Sequence, residues 1–211
     1  MRRWPQPPAE SMSSETPPSG RAVVLATRNA HKVVEMQRLL EPVGIVVEAL
    51  PDEVELPPED GLTFADNALV KALAAASATG RAAIADDSGV EAAELGGAPG
   101  VRSARFAGEN ATDEENLAKL VAEAPVDSRL RYVCALAYVN PETGEERVFF
   151  GDCRGRMARE RAGSNGFGYD PVFVPDATGD NRTMAELTDA EKDAISHRGH
   201  AVRLLTRWLR P

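Results

Sequence analysis

The sequence predicts an α/β fold built on one mixed sheet. Three observations carry that reading. Apolar strand-type runs alternate with helix-period segments over the first half of the chain. A long hairpin pattern follows, with "LRYVCALAYV" and "ERVFFGDCRGRMA" flanking the turn "NPETGE". A short strand and a helical segment then close the chain. Crossover units followed by a hairpin give a sheet with both parallel and antiparallel pairs.

The elements follow in order. "MRRWPQPPAESMSSETPPSG", residues 1–20, is rich in Pro and Ser and has almost no apolar periodicity. It is expected to be a disordered tail ahead of one domain over 21–211. "RAVVLAT" is an apolar run suited to a buried strand. Asn29 opens a helical pattern with Val33, Met36, Leu39, Leu40 and Val43 on one face, and Gly44 ends it. "IVVEAL" is the second strand, and "PDEVELPPEDG" holds too much Pro and acid for regular structure. Thr63 and Asp66 form a capping box for an Ala-rich helix over 64–79, closed by Gly80. "RAAIAD" reads as a short strand that ends by delivering Asp86 and Asp87. Thr112, with Glu115 three residues on, starts another helix. "GSNGFGYDPVFVP" is a glycine loop leading into a short strand. "TDAEKDAISHRGHAVRLLTRWL" reads as one helical segment with Leu204, Leu205 and Trp208 on its apolar side.

Bulk properties narrow the function. A chain of 211 residues suits one domain or two joined lobes, and 43% hydrophobic residues suffice for a core. A formal charge of −9 argues against a general nucleic-acid surface. No apolar run approaches membrane-spanning length. Arg2 and Arg3 are followed by no apolar stretch, so no secretory signal is expected and the expected location is cytoplasmic. Cys134 and Cys153 lie outside any CxxC or Cys/His pattern and read as reduced core thiols.

Four segments carry chemistry. In "ATRNAHK" a strand gives way to a helix start, where free N–H groups and Lys32 suit a phosphate chain. It is not a P-loop, and the same residues also read as an ordinary capped helix. "ADDSG" sets two carboxylates side by side. Neighbouring strand residues face opposite ways, but a strand end relaxes that rule, so one Asp is expected to bind a metal while the other supports it. "GFGYD" offers two aromatics in a glycine loop, suited to stacking on a base or to plugging the loop down. "EKDAISHRGH" gathers Lys192, Ser196, His197 and Arg198. A metal pair from His197 and His200 is disfavoured, because Mg²⁺-type chemistry prefers oxygen ligands. Together these are the parts of a nucleoside triphosphate site.

Here the sequence resembles the Ham1-like inosine triphosphate pyrophosphatases. The resemblance rests on "TRNAHKVVE", "LTFADNALVKA", "IADDSGVEAAELGGAPGVRSARFAG", "GFGYDPVF" and "AELTDAEKDAISHRGHA", in that order. It implies a homodimer of two-lobed α/β subunits with the active cleft between the lobes. It also implies Mg²⁺-dependent hydrolysis of ITP, dITP and XTP to the monophosphate and pyrophosphate. Residue by residue, Thr27, Arg28, Asn29, Ala30, His31 and Lys32 match the phosphate-binding segment. Asp87 matches the catalytic carboxylate and metal ligand, and Asp86 its supporting neighbour. Glu59 is the candidate second metal ligand, although Pro58 stands where many relatives carry an acid. Ser88, Phe167, Gly168, Tyr169 and Asp170 match substrate contacts, as do Lys192, His197 and Arg198. Arg102 and Arg105 either meet phosphate or brace the acidic site. Two rival readings are a phosphatase with an aspartyl nucleophile and a nucleotide sensor without turnover.

Overall fold

The computed structural model describes residues 22–210. The proposed tail, residues 1–20, lies outside them. Six strands form one sheet in the order β2-β1-β3-β4-β5-β6. They are β1 (Ala22–Leu25), β2 (Val46–Ala49), β3 (Ala83–Ala92), β4 (Arg129–Asn140), β5 (Glu145–Met157) and β6 (Phe173–Pro175). β1 pairs in parallel with β2 and β3, and all later pairings are antiparallel. The mixed sheet is as expected.

Five helices cover it: α1 (Ala30–Leu40), α2 (Phe64–Thr79), α3 (Asp113–Glu123), α4 (Asp189–Ile195) and α5 (His197–Trp208). α1 and α5 pack Met36, Leu40, Val202 and Leu205 against one face of the sheet. The alanines of α2 cover the other face. A further cluster joins the far ends of β3, β4 and β5 to α3 and the loop before β6. The long strands therefore run through two lobes, one centred on β1, β2 and α1, the other on β6 and α3.

Local signals set several boundaries. Asn29 lies outside α1 and caps it, its side chain accepting from the Lys32 N–H. Thr63 and Asp66 make the reciprocal capping box of α2, and Gly80 ends that helix in the left-handed region. Thr112 and Glu115 do the same at the start of α3.

Two expectations need correction. The strand holding the aspartates does not stop at them but continues to Ala92, because its whole length pairs with β4. The final helical segment is broken at Ser196. That residue is extended, ends α4, and caps α5 by accepting from the Gly199 N–H. The two cysteines are free and buried. They are not paired across the hairpin, since Cys134 faces Gly151 and Cys153 faces Tyr132. Burial pushes both thiols up to about 12, so they are inert at neutral pH.

The chain leaves β1 through α1 to β2 and returns through α2 to β3 on the other side of β1. This reversal of strand order creates a crevice beyond the C-terminal ends of β1 and β3. β1 pairs with β3 only as far as Leu25 opposite Ile84. The segment after β1 therefore lies beside Asp86, Asp87 and Ser88.

Candidate active site

A cleft of about 500 Å³ opens at this crevice between the two lobes. Because β3 continues through the aspartates, strict alternation applies to them. Asp86 and Ser88 point with Ile84 towards α1 and α5, while Asp87 points with Ala83 and Ala85 towards α2. The expected relaxation at a strand end does not occur, and the two carboxylates have separate partners.

Asp86 is fully buried. It accepts from Arg198 Nη2 at 2.8 Å and from the Ser88 hydroxyl at 3.1 Å, and Lys32 Nζ stands 3.1 Å away. Burial would raise this carboxyl, but Lys32, Arg198 and Lys71 outweigh it and hold Asp86 well below the usual range. It is a permanent anion that gathers cations and does not line the cleft.

Asp87 lines the cleft and has the opposite balance. Burial raises its carboxyl, Lys71 lowers it, and nearby Glu59 raises it again; the net shift is upward. Asn67 Nδ2 donates to Asp87 Oδ2 at 2.9 Å, and Asn67 Oδ1 accepts from the Gly61 N–H at 2.7 Å. A Cβ on Gly61 would come within 2.6 Å of that amide oxygen, so the loop must be glycine there. Lys71, buried in an otherwise alanine-rich helix, reaches Glu59 at 2.5 Å and the Asp86 carbonyl at 2.8 Å. Glu59, Lys71 and Asp87 thus form a carboxylate–ammonium–carboxylate cluster at one end of the cleft.

The other end is a dense buried network. Lys192 donates to Glu35 and to Asp170, each at 2.7 Å. Arg198 also donates to Glu35, so one carboxylate fixes both cations. Asp170 further accepts from the Tyr132 hydroxyl and the Phe167 N–H, each at 3.0 Å. Gly166, at φ +75°, is forced: a Cβ would lie 2.0 Å from Asp170 Oδ2. The Phe167 ring lies over this network, with Lys192 Nζ 5.2 Å and the Arg198 guanidinium 5.8 Å from its centroid. His197 stacks on Tyr132 at 4.6 Å. Burial, Arg198 and Lys192 push its imidazole far down, so it is neutral at pH 7.

The remaining predicted residues divide. Thr27, Arg28, Asn29, Lys32, Ser88 and Gly168 line the cleft. Arg28 is also a loop clamp, donating to the carbonyls of Leu50, Pro51, Asp52 and Val54. His31 stacks on Phe167 at 5.1 Å, but neither it nor Ala30 is part of the cleft wall. Tyr169 is buried with its hydroxyl donated to the Ser103 carbonyl at 2.7 Å, so it anchors the loop and leaves Phe167 as the aromatic for stacking. His200 Nδ1 contacts the Asp152 carbonyl at 2.7 Å and belongs to the packing of α5 on β5. Arg105 lines the cleft, whereas Arg102 is exposed and pairs with Glu109.

A model of the Ham1 family matches residues 23–208. The chain belongs to the Ham1 family. The dITP/XTP pyrophosphatase of Frankia alni is 52% identical over 199 residues, spanning 89% of this chain and 96% of that protein. The dITP/XTP pyrophosphatase of Shigella flexneri is 49% identical over 194 residues, spanning 89% and 98%. The solved structure of a Ham1 protein from Coxiella burnetii superposes with a TM-score of 0.78 at 42% identity, covering 89% of this chain and 98% of that one.

Within this Ham1 fold, Glu35, Asn67, Lys71 and Arg105 complete the site, yet sequence reading gave the first three no role. Signals existed for each. Glu35 is an acid on the apolar face of α1, three residues after Lys32. Asn67 and Lys71 stand one turn apart on a helix whose other inward residues are alanine and Phe64.

Proposed function

We propose that this chain hydrolyses non-standard purine nucleoside triphosphates, namely ITP, dITP and XTP, to the monophosphate and pyrophosphate. It would thereby cleanse the nucleotide pool. One observation carries the reading: a single cleft joins an aromatic platform ringed by fixed donors to a cluster of two carboxylates and a lysine. The relatives' activity on dITP and XTP supports it.

The purine stacks on Phe167, which is indifferent to base identity. Lys192 and Arg198 can only donate hydrogen bonds at neutral pH. They suit the 6-carbonyl of hypoxanthine and xanthine. The 6-amino group of adenine would leave a desolvated cation facing another donor, a penalty of about 1–3 kcal/mol. Glu35, Asp170 and Asp86 hold these donors still, so little ordering remains for binding. Lys32 and the start of α1 receive the phosphates.

Asp87 and Glu59 supply hard oxygen donors suited to Mg²⁺. Among the described residues no three ionisable ligands converge on a metal. A bound Mg²⁺ would therefore complete its shell with phosphate oxygens and water, and would neutralise phosphate charge. The role of proton acceptor for the attacking water falls to Asp87, supported by the burial that raises its carboxyl and by the Asn67 bond that orients it. Lys71 offsets negative charge beside it. Family resemblance further supports a homodimer. No described helix is long and apolar enough to cross a membrane.

The test is a panel of ITP, dITP, XTP, GTP and ATP with and without Mg²⁺, with products separated by chromatography. The expected products are monophosphate and pyrophosphate, from ITP, dITP and XTP far above ATP, with GTP also poor. Orthophosphate as the first product would replace this reading with a phosphatase.

A further inference from the structure

We propose that Arg105 holds the pyrophosphate as it leaves. The assignment rests on the pyrophosphatase reading and adds one contact to the same site. Arg105 ends the 3₁₀ segment Gly100–Arg105 and lines the cleft. Its Nη2 donates to the Glu59 carbonyl at 2.8 Å. That bond sets the guanidinium beside the Glu59–Lys71–Asp87 cluster, at the phosphate end of the cleft.

Charge pairing separates Arg105 from the other cleft cations. Lys32 has Asp86 at 3.1 Å, Lys71 has Glu59 at 2.5 Å, and Arg198 has Asp86 at 2.8 Å. Lys192 has two carboxylates at 2.7 Å. Arg28 is committed to backbone carbonyls and, among the described residues, pairs with the exposed Asp52. The ion pair Arg105 makes among the described residues is with Glu109, at 3.9 Å, and Glu109 is 71% exposed. Yet the Arg105 side chain is itself only 20% exposed. A largely sheltered guanidinium with one N–H fixed and no close counter-ion keeps its forked donors for an anion.

The reaction supplies that anion. A water oxygen bonds to the α-phosphorus, and the bond from that phosphorus to the α–β bridging oxygen breaks. The electron pair leaves on pyrophosphate, and the water's proton goes to Asp87. Negative charge therefore grows on the departing group, where a preplaced cation acts most strongly.

The bond to Glu59 also braces the acidic loop, so the experiment must separate bracing from anion contact. Inhibition by inorganic pyrophosphate and by inosine monophosphate is measured for wild type, Arg105→Ala, Arg105→Gln and Arg105→Lys, with melting temperatures. Gln keeps a donor for the Glu59 carbonyl without the charge. The expected result is pyrophosphate inhibition weakened by about tenfold to a hundredfold in both neutral variants, the scale of a lost charge-assisted bond. Inosine monophosphate inhibition is unchanged, and Lys recovers part of the loss. If both products weaken together, if neither changes, or if Gln behaves as wild type, Arg105 is a brace and the assignment falls. Should Ala fail to fold, Gln and Lys decide by the same comparison. A wild type that hydrolyses no triphosphate overturns the pyrophosphatase reading itself. An active wild type whose variants keep their pyrophosphate inhibition overturns the Arg105 assignment alone.

Discussion

At one end of the cleft Lys192 and Arg198 are buried and locked by Glu35, Asp170 and Asp86; at the other, Asp87, Glu59 and Lys71 form a smaller cluster facing the cleft. Both ends use carboxylates and cations. At the first, every charge is matched before any ligand arrives, so the network reads shape and polarity without rearranging. At the second, the Asp87 carboxyl is raised and, among the described residues, Arg105 has its nearest counter-ion at 3.9 Å. Under the proposed function that end would be completed by what binds: phosphate charge, water and metal. In that reading rigid matching would serve recognition, and incomplete matching chemistry.

Three substitutions or conditions break or sharpen this contrast. The largest effect is expected at the incomplete end. Asp87→Asn should lower kcat by at least about a hundredfold. Because burial disfavours the charged carboxyl, the same change should raise the melting temperature of the ligand-free protein. Near-normal turnover, or a marked loss of stability, would remove the contrast.

Glu35→Gln addresses the matched end. It leaves Lys192 and Arg198 each with one carboxylate in place of two. Stability should fall by about 3 kcal/mol, as for a broken buried pair, and the preference for XTP over ATP should narrow. Urea unfolding and kcat/KM for the two substrates check this. A stable variant with its selectivity intact would show that Glu35 does not hold the donors.

The smallest effect is in pH dependence. Glu35 and Asp86 are held below their ordinary values of 4.5 and 3.8. In each case burial acts upward and the neighbouring cations outweigh it. The unfolded chain binds these protons more readily, so their stabilisation is complete above the ordinary carboxylate range and is lost as pH falls through and below it. Asp87 has the opposite sign, and protonating it relieves the folded state. Urea midpoints followed downward from neutral pH should therefore drop below about pH 4.5, and less steeply in Glu35→Gln. A midpoint independent of pH there would mean that the network contributes nothing.

Much of this was legible in the sequence because its causes are local. Helix α2 was readable from Thr63, Asp66 and Gly80, since caps and left-handed ends are set by residues within one turn. The hairpin was readable from its two strand-like runs and the turn between them. The segments that build the cleft could be named because strand ends, glycine loops and donor clusters have short-range signatures. Where reading failed, a distant partner decided. β3 runs past Asp87 because β4 supplies hydrogen bonds along its full length. Tyr169 is an anchor because the Ser103 carbonyl lies within its reach. Glu35 is a site residue because α4 and α5 bring Lys192 and Arg198 to it from more than 150 positions away.

The sequence by itself determined the element order, the caps and most of the segments that line the cleft. Only the tertiary structure decided how they divide. Alternation along a strand is local, and it sends Asp86 and Asp87 to opposite faces. What waits on each face is not local. α1 and α5 surround Asp86 with cations and make it a permanent counter-ion, while α2 offers Asp87 an amide, a lysine and an open cleft. Two identical neighbouring side chains thus acquire different properties, because a carboxyl's affinity for its proton is set by burial and by charges brought to it across the fold.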